Sequence, residues 1–258
     1  MSHHIVEAQD LHFTYPDGTD VLRGVTFRIT HGESVAIVGA NGAGKSTLLL
    51  HLNGYLTATK GVVRIGESPI VPESLTQARR AVGLVFQDPD DQLFMPTVFD
   101  DVAFGPLNMG LPASEVQNKV KTALETVGAW HLQARPPYRL SGGEKRAVAI
   151  ATVLSMTPDI LVMDEPSSNL DPKSRRVLIN LLKGFAHTKI IATHDLDLVM
   201  DLCRRTLVIR EGRIIADGPT DEIMRDEDLL ASSNLEKPLS LRSCAACGKT
   251  PDPPFPPR

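Results

Sequence analysis

The feature that most constrains this chain is a glycine-rich segment placed between two apolar patterns. Residues Gly39–Thr47 read Gly-Ala-Asn-Gly-Ala-Gly-Lys-Ser-Thr; the apolar run Ser34–Val38 precedes them and the apolar run Leu48–Leu52 follows. Glycines let backbone N–H groups approach a phosphate chain closely, and a helix that begins there adds the positive end of its dipole. The strand–loop–helix order therefore predicts a phosphate-binding loop, named the phosphate loop below.

Three side chains of the phosphate loop have chemistry that suits a nucleotide triphosphate. Lys45 places an ammonium between the β- and γ-phosphates, Ser46 offers a hydroxyl to Mg²⁺, and Thr47 can reach the α-phosphate. The predicted nucleotide-binding residues of this loop are Gly39, Ala40, Asn41, Gly42, Ala43, Gly44, Lys45, Ser46 and Thr47.

Two adjacent carboxylates end a second apolar run. Asp164 and Glu165 follow Ile160–Met163. Neighbouring side chains on a strand point in opposite directions, so the two acids are expected to have different tasks. We predict that Asp164 holds Mg²⁺ through water and that Glu165 polarises the water that attacks the phosphate.

The rest of the chain alternates strand and helix patterns, which predicts an α/β fold with a parallel sheet. Helices are predicted over Glu115–Val127, with Ser114 as N-cap, and over Glu144–Leu154. Ile5–Val6 and Leu11–Phe13 are predicted as separate short strands. The further predicted strands are Val25–Ile29, Val62–Ile65, Val82–Phe86, Lys189–Ala192 and Thr206–Ile209, and the further predicted helices are Ser174–Phe185 and Leu196–Leu202.

Composition excludes several classes of protein. The 258 residues include 27 Lys and Arg against 31 Asp and Glu, a net charge of −4, so no basic excess points to nucleic acid. No run approaches the roughly 18 apolar residues of a membrane span. The start, Met1–Ile5, lacks the pattern of a signal peptide, and three cysteines cannot build a disulfide framework. A cytosolic compartment is therefore expected.

Further motifs lie before, between and after the two phosphate-site motifs along the chain. They are Leu140–Glu144, Ser168–Asp171, Gln87, His194 and Tyr15. Taken together over roughly residues 5–225, they resemble the ATPases of ABC transporters: a signature motif, a D-loop, a Q-loop, a switch histidine and an aromatic that stacks on adenine. Glu144 stands where many relatives carry Gln.

The resemblance implies a P-loop NTPase fold with a mainly parallel sheet core, an N-terminal antiparallel β subdomain and a helical subdomain at about residues 97–156. It implies ATP and Mg²⁺ as cofactors. The ATPase domain is expected over residues 1–231, followed by a proline-rich, flexible tail over residues 232–258.

The resemblance also implies roles for individual residues. The implied catalytic residues are Glu165, His194, Lys45 and Gln87, and the implied Mg²⁺ ligands are Ser46, Gln87 and Asp164. In this family two chains sandwich two ATP molecules head to tail, so a second copy is an expected partner. The residues expected to act on the partner's ATP are Ser141, Gly142, Gly143 and Glu144, and Asp171 is expected to couple the sites at the dimer seam.

A more selective resemblance lies in Val85–Phe94, Pro96–Val98 and Asp101–Pro106, which are similar to energy-coupling-factor uptake ATPases, particularly the cobalt and nickel members. It implies that coupling helices of integral-membrane subunits dock near residues 87–106, at the cytoplasmic face of the membrane. An ordinary acidic surface loop is the alternative. Pro238–Leu241 and Cys244–Gly248 also resemble cobalt and nickel members; Cys244 and Cys247 alone supply only half of a tetrahedral zinc site.

Other functions remain open at the level of sequence. The runner-up is an ABC-type ATPase that acts as a mechanical switch on nucleic acid or ribosomes, although the acidic balance and single ATPase core disfavour it. A P-loop kinase or GTPase does not explain Leu140–Glu144. The sequence leaves open whether cobalt, nickel or a vitamin is transported, and whether the partner ATPase is an identical copy.

Overall fold

The structure is a computed structural model that describes residues 4–242. Its core is a mainly parallel sheet of six strands. The strand order is β10-β9-β3-β8-β7-β6, and only β10 runs antiparallel to its neighbour. These strands are β3 (Ser34–Val38), β6 (Val82–Val85), β7 (Ile160–Asp164), β8 (Thr188–Ala192), β9 (Arg205–Arg210) and β10 (Arg213–Pro219). The predicted parallel core is confirmed.

A second, antiparallel sheet has the order β2-β1-β4-β5, which confirms the N-terminal β subdomain. Its strands are β1 (His4–Thr14), β2 (Asp20–Thr30), β4 (Lys60–Ile65) and β5 (Ser68–Pro69). The prediction of two separate strands in the first of these was wrong. The pairing register shifts between Ala8 and Leu11, where Asp10 adopts φ 47°. This irregularity accommodates the polar residues Gln9 and Asp10, so the strand continues through them.

Nine α-helices are present within residues 4–242. They are α1 (Lys45–Leu52), α2 (Leu75–Ala81), α3 (Val98–Asn108), α4 (Ala113–Thr126), α5 (Gly142–Leu154), α6 (Pro172–Gly184), α7 (Leu196–Leu202), α8 (Thr220–Arg225) and α9 (Glu227–Ser232). The middle three, α3 to α5, pack on one another as the helical subdomain. Helix α4 begins earlier than predicted: Pro112, not Ser114, occupies the N-cap position.

Apolar side chains cover both faces of the parallel sheet. One cluster packs α3 to α7 against one face, and the other fills the space between the two sheets around α1. The parallel strands β3, β7 and β8 are neighbours and end at the same edge. Whatever follows these three strands is therefore brought together, which positions the functional site.

The C-terminal part of the described chain packs against α7. Asp197 accepts hydrogen bonds from the backbone N–H groups of Leu239 and Ser240, at 3.2 and 2.9 Å, and Leu241 is buried. The predictions for Cys244 and Cys247 and for the proline-rich end beyond residue 242 concern residues outside those that the structure describes. Within residues 4–242, no helix has the length and apolar character needed to cross a bilayer.

Candidate functional site

The phosphate loop connects β3 to α1 as predicted. Gly44 adopts φ 107° at the N-cap of α1, a conformation that only glycine reaches without strain. Helix α1 begins directly at Lys45, so its first N–H groups have no partners within the helix and face the loop. This arrangement provides backbone donors and a dipole for an anion.

Lys45 is buried within the loop. Its Nζ donates to the carbonyl oxygens of Gly39 and Ala40, at 2.9 and 3.2 Å. Burial lowers the pKa of Lys45, whereas the nearby carboxylates of Glu165 and Asp164 oppose that shift. The two acids that follow β7 are therefore within electrostatic reach of the phosphate-loop lysine.

Tyr15 lies beside the phosphate loop and is half-buried. Its hydroxyl is 3.2 Å from Thr47 Oγ1, and Phe13 packs edge-on against its ring with a centroid distance of 4.8 Å. His51 of α1 supports Phe13 in turn, at 4.7 Å. The ring of Tyr15 is thus held next to the loop, in a position that suits the predicted adenine contact.

Asp164 and Ser46 form the candidate Mg²⁺ site. The carboxylate of Asp164 is buried, which raises its pKa, and the nearby Ser46 hydroxyl opposes that shift. Its Oδ1 has no hydrogen-bond partner among residues 4–242. A carboxylate and a hydroxyl are oxygen ligands of the kind that Mg²⁺ prefers, so these residues fit the ion.

Gln87, the third predicted Mg²⁺ ligand, follows β6 and is exposed. Because β6 pairs with β7, Gln87 lies at the edge where Asp164 ends its strand. In the described part of the chain, no hydrogen bond joins the Gln87 side chain to Ser46 or Asp164; its backbone carbonyl accepts one from Arg146.

Glu165 and His194 are brought together, as their proposed roles require. Glu165 Oε1 lies 2.9 Å from His194 Nδ1, and Glu165 Oε2 accepts from the hydroxyl of Thr193 at 2.9 Å. The backbone of Glu165 has φ 44°, and its side chain is buried while that of His194 is exposed. Asp164 and Glu165 thus make different contacts, consistent with their alternation on the strand.

Sequence reasoning missed Asp195, which holds the loop that carries His194. Asp195 caps α7, receives both guanidinium N–H groups of Arg175 at 2.9 and 3.0 Å, and accepts from Ser167 Oγ at 3.0 Å. It thereby connects the loops that follow β7 and β8 with α6. An aspartate directly before an apolar helix pattern was the available signal.

The signature turn, defined as Ser141–Gly143, lies at the start of α5 and is largely exposed. Ser141 caps the helix, and Glu144 Oε2 accepts from the backbone N–H and the hydroxyl of Ser141, at 2.7 and 2.8 Å. The first N–H groups of α5 have no carbonyl partners within the helix, and that of Glu144 donates to the Ser141 hydroxyl. The turn therefore offers an anion-binding surface to another molecule.

Asp171 lies close to the signature turn, on α6. It caps that helix through the N–H groups of Lys173 and Ser174 and accepts from the Ser174 hydroxyl at 2.6 Å. A side chain at Gly143 would have its Cβ only 2.6 Å from Ser174 Oγ, so α5 and α6 meet in close contact. The predicted coupling residue and the predicted signature residues share one surface.

A groove, called the docking groove, lies between α3 and the end of α2, with a volume of about 480 Å³. Phe94 and Phe104 stack edge to face at 5.1 Å on its rim and are 64% and 43% exposed. Asp101 is buried within it, and its Oδ1 accepts from the N–H groups of Phe94 and Met95 at 3.0 Å. Its Oδ2 has no partner among the residues that the structure describes.

Comparison with known proteins assigns the family. The family model of the ABC transporter matches residues 22–168. A protein of Geobacter sulfurreducens described as an ABC transporter ATP-binding protein is 68% identical over 249 residues, which cover 96% of this chain and 100% of that one. The chain belongs to the ABC transporter family. As an ABC transporter ATPase, it binds ATP and couples ATP hydrolysis to transport.

Two further relatives have more specific descriptions. The energy-coupling factor transporter ATP-binding protein EcfA of Methanocaldococcus jannaschii is 49% identical over 242 residues, 91% of this chain and 86% of that protein. The structure of cbiO1 from Clostridium perfringens, part of the ABC transporter complex cbiONQ, matches with a TM-score of 0.78 and 40% identity. That match covers 90% of this chain and 95% of the other.

Proposed function

We propose that this ABC ATPase powers an energy-coupling-factor uptake transporter and works as a dimer. The observation that carries the proposal is the docking groove, an aromatic surface with a buried carboxylate oxygen, Asp101 Oδ2, that has no partner among the described residues. The similarity to EcfA and to cbiO1 supports it. We further propose the division into an ATPase domain at residues 1–231 and a tail at residues 232–258.

The chemistry of hydrolysis follows from the contacts around Glu165. Its carboxylate orients or deprotonates the attacking water, and the His194 ring, 2.9 Å away, contacts the γ-phosphate and stabilises the charge that develops there. Lys45 lies between the β- and γ-phosphates. Mg²⁺ held by Ser46, Asp164 and Gln87 supplies charge neutralisation when bound.

The second half of each site comes from another copy of the chain. The signature turn is exposed at a helix N-terminus, which suits the γ-phosphate of a partner chain, and Asp171 lies beside it at the proposed seam. Glu144 adjoins the same surface. Loss of the γ-phosphate on hydrolysis then removes the bridge between the chains, so the two halves separate.

The docking groove receives a cytoplasmic helix of an integral-membrane subunit, which places the chain at the membrane surface. Phe94 and Phe104 offer apolar contact area to such a helix. Burial raises the pKa of Asp101, so a cation that reaches its free Oδ2 would relieve the cost of the buried charge. We therefore expect an arginine or lysine on the docking helix.

The proposed cargo is a transition metal ion, Co²⁺ first and Ni²⁺ second, carried by the membrane subunits. The support is the similarity of Val85–Phe94 and Asp101–Pro106 to cobalt and nickel members of the energy-coupling-factor group. Uptake of ⁵⁷Co²⁺ by cells that carry the wild type, compared with Lys45→Ala, tests the cargo directly. Equal uptake by both strains would contradict it.

The partner is tested by extracting a tagged full-length chain with detergent and identifying the proteins that come with it. We expect an integral-membrane subunit, and about tenfold less of it with Asp101→Asn, which removes the charge but keeps the two backbone contacts. Glu125→Gln, an exposed carboxylate change on α4, is the matched control and should not reduce recovery. Salt-sensitive recovery of RNA instead of a membrane protein would contradict the proposal.

A further inference from the structure

The buried face of α5 carries a positive charge that no part of the proposed mechanism uses. Arg146 is 3% exposed, in a helix whose neighbouring buried positions are apolar. Its Nη1 donates to the carbonyl oxygen of Phe86 at 2.8 Å and its Nη2 to that of Gln87 at 2.5 Å. A guanidinium whose two outer nitrogens bind consecutive carbonyls fixes the backbone between them.

Two more polar contacts connect the same loop to the same helix. Gln92 accepts from the N–H of Phe86 at 3.2 Å and donates to the carbonyl of Ala149 at 2.8 Å. Lys145 binds both carboxylate oxygens of Asp90, at 2.6 and 2.8 Å. Residues 86–92, called the glutamine loop, are thus attached to α5 along several of its turns.

The carbonyls that Arg146 holds lie at the Mg²⁺ side of this chain's own site. Phe86 and Gln87 directly follow β6, which pairs with β7 so that Val85 is level with Met163, the residue before Asp164. The positive charge of Arg146 is among the influences that lower the pKa of Asp164 against its burial. Arg146 therefore lies within electrostatic reach of the Mg²⁺ ligands.

The same helix begins with the signature turn. Ser141 precedes Arg146 by five residues, which is about 7.5 Å along a helix. In the proposed dimer, Ser141 serves the ATP of the partner chain, whereas Arg146 holds Gln87 beside the ATP of its own chain. A shift of α5 at one site would thus displace groups at the other.

We propose that Arg146 is a positioning residue that couples the two ATP sites of the dimer, by holding the Gln87 backbone to the helix that carries the signature turn. This inference rests on the proposed dimer. It explains why a buried cation is retained here, since a well-packed apolar side chain of similar length often serves stability equally well. Its Nε also lacks a partner among residues 4–242, so stability alone does not account for it.

The test uses the full-length chain with Arg146→Met, which keeps the side-chain length but loses both contacts, and Arg146→Lys, which can reach one carbonyl. ATPase rates are measured against ATP concentration, together with melting temperature. We expect a Hill coefficient near 2 for the wild type, near 1 for Arg146→Met and intermediate for Arg146→Lys, because two coupled sites allow a coefficient of up to 2.

A second readout does not depend on turnover. In a Glu165→Gln background, sedimentation measures the ATP concentration that gives half-maximal dimer, and we expect Arg146→Met to raise it about tenfold. Arg205→Met is the matched control, since Arg205 also makes two ionic contacts, with Asp217 and Glu33, but at the start of β9, outside α5 and the glutamine loop. It should leave both readouts unchanged.

Hill coefficients near 2 in both Arg146 variants would overturn the proposal, and so would equal losses in the Arg205→Met control. If Arg146→Met fails to fold, the Hill coefficient of Arg146→Lys decides: a value between 1 and 2 supports the proposal, and a value near 2 overturns it. A wild type with a Hill coefficient of 1 and no ATP-driven dimer would instead overturn the proposed dimer itself, which distinguishes the two failures.

Discussion

The phosphate loop and the signature turn both lie at glycine-containing helix N-termini, but they differ in how far the surrounding residues enclose them. The phosphate loop is enclosed: Lys45 is buried, Asp164 and Glu165 lie near it at the end of β7, and Tyr15 lies beside it at the end of β1. The signature turn has no such surroundings, and Ser141 is exposed. One chain thus contains a complete phosphate cradle and a second anion-binding turn without one, which is the physical reason to expect a shared site.

Removing the proposed general base, Glu165, should separate ATP binding from ATP hydrolysis at the enclosed site. We expect Glu165→Gln to lower kcat by roughly 10²–10⁴, the scale of a lost general base, and to leave ATP binding within about twofold. Single-turnover hydrolysis and ATP titration measure the two quantities. The exposed change Glu115→Gln on α4 is the control, and near-normal turnover in Glu165→Gln would contradict the role of Glu165.

A charge placed on the signature turn should impair hydrolysis without harming the fold. A Cβ added at Gly142 has no atom within 4 Å, and an acid in the first turn favours the helix dipole. We therefore expect Gly142→Asp to keep the melting temperature and monomer ATP binding, and to lower kcat about 10²-fold by repelling the partner's γ-phosphate. Gly142→Ala should change kcat less than threefold; equal effects of the two substitutions would argue against an anion site here.

Tyr15, the aromatic residue beside the phosphate loop, should affect the affinity for ATP more than the rate of ATP hydrolysis. Loss of base stacking costs about 1–3 kcal/mol, so Tyr15→Ala should weaken ATP binding by roughly 5- to 150-fold, as measured by calorimetry. Tyr15→Phe keeps the ring and loses only the contact with Thr47, so it should bind within about threefold of the wild type. If the Tyr15→Ala variant binds both ATP and GTP nearly as tightly as the wild type does, Tyr15 does not contact the base.

The docking groove predicts the smallest effect, on stability. Burial raises the pKa of Asp101, so its charged form costs stability above that pKa, and protonation removes the cost as the pH falls. Asp101→Asn should raise the unfolding free energy by about 1 kcal/mol at neutral pH. This gain in unfolding free energy should become smaller when denaturation is measured at lower pH. A gain that grows as the pH falls would contradict a raised pKa for Asp101.

The strand–loop–helix arrangement of the enclosed site could be predicted because local patterns determine it. An apolar strand, a glycine loop and an apolar helix have only one common arrangement, and strand ends bring Asp164 and His194 to the same edge. The strand break near Asp10 and the N-cap at Ser114 were wrong because a register shift and Pro112 offered the backbone other solutions.

Contacts between distant segments could not be predicted in this way. The pairing of Asp195 with Arg175, and of Arg146 with the carbonyls of Phe86 and Gln87, joins residues that are 20, 60 and 59 positions apart. Single-sequence patterns carry no information about such contacts. For Arg146, the visible signal was a charged residue at a position where the helix pattern demands an apolar one.

The proposed function depends on ATP bridging two copies of the chain, and sedimentation of Glu165→Gln tests this most directly. With ATP and Mg²⁺ at concentrations that calorimetry shows to be saturating, the account predicts a shift from monomer to dimer, absent with ADP and absent when Gly142→Asp is added. A chain that binds ATP fully and still sediments as a monomer would contradict it.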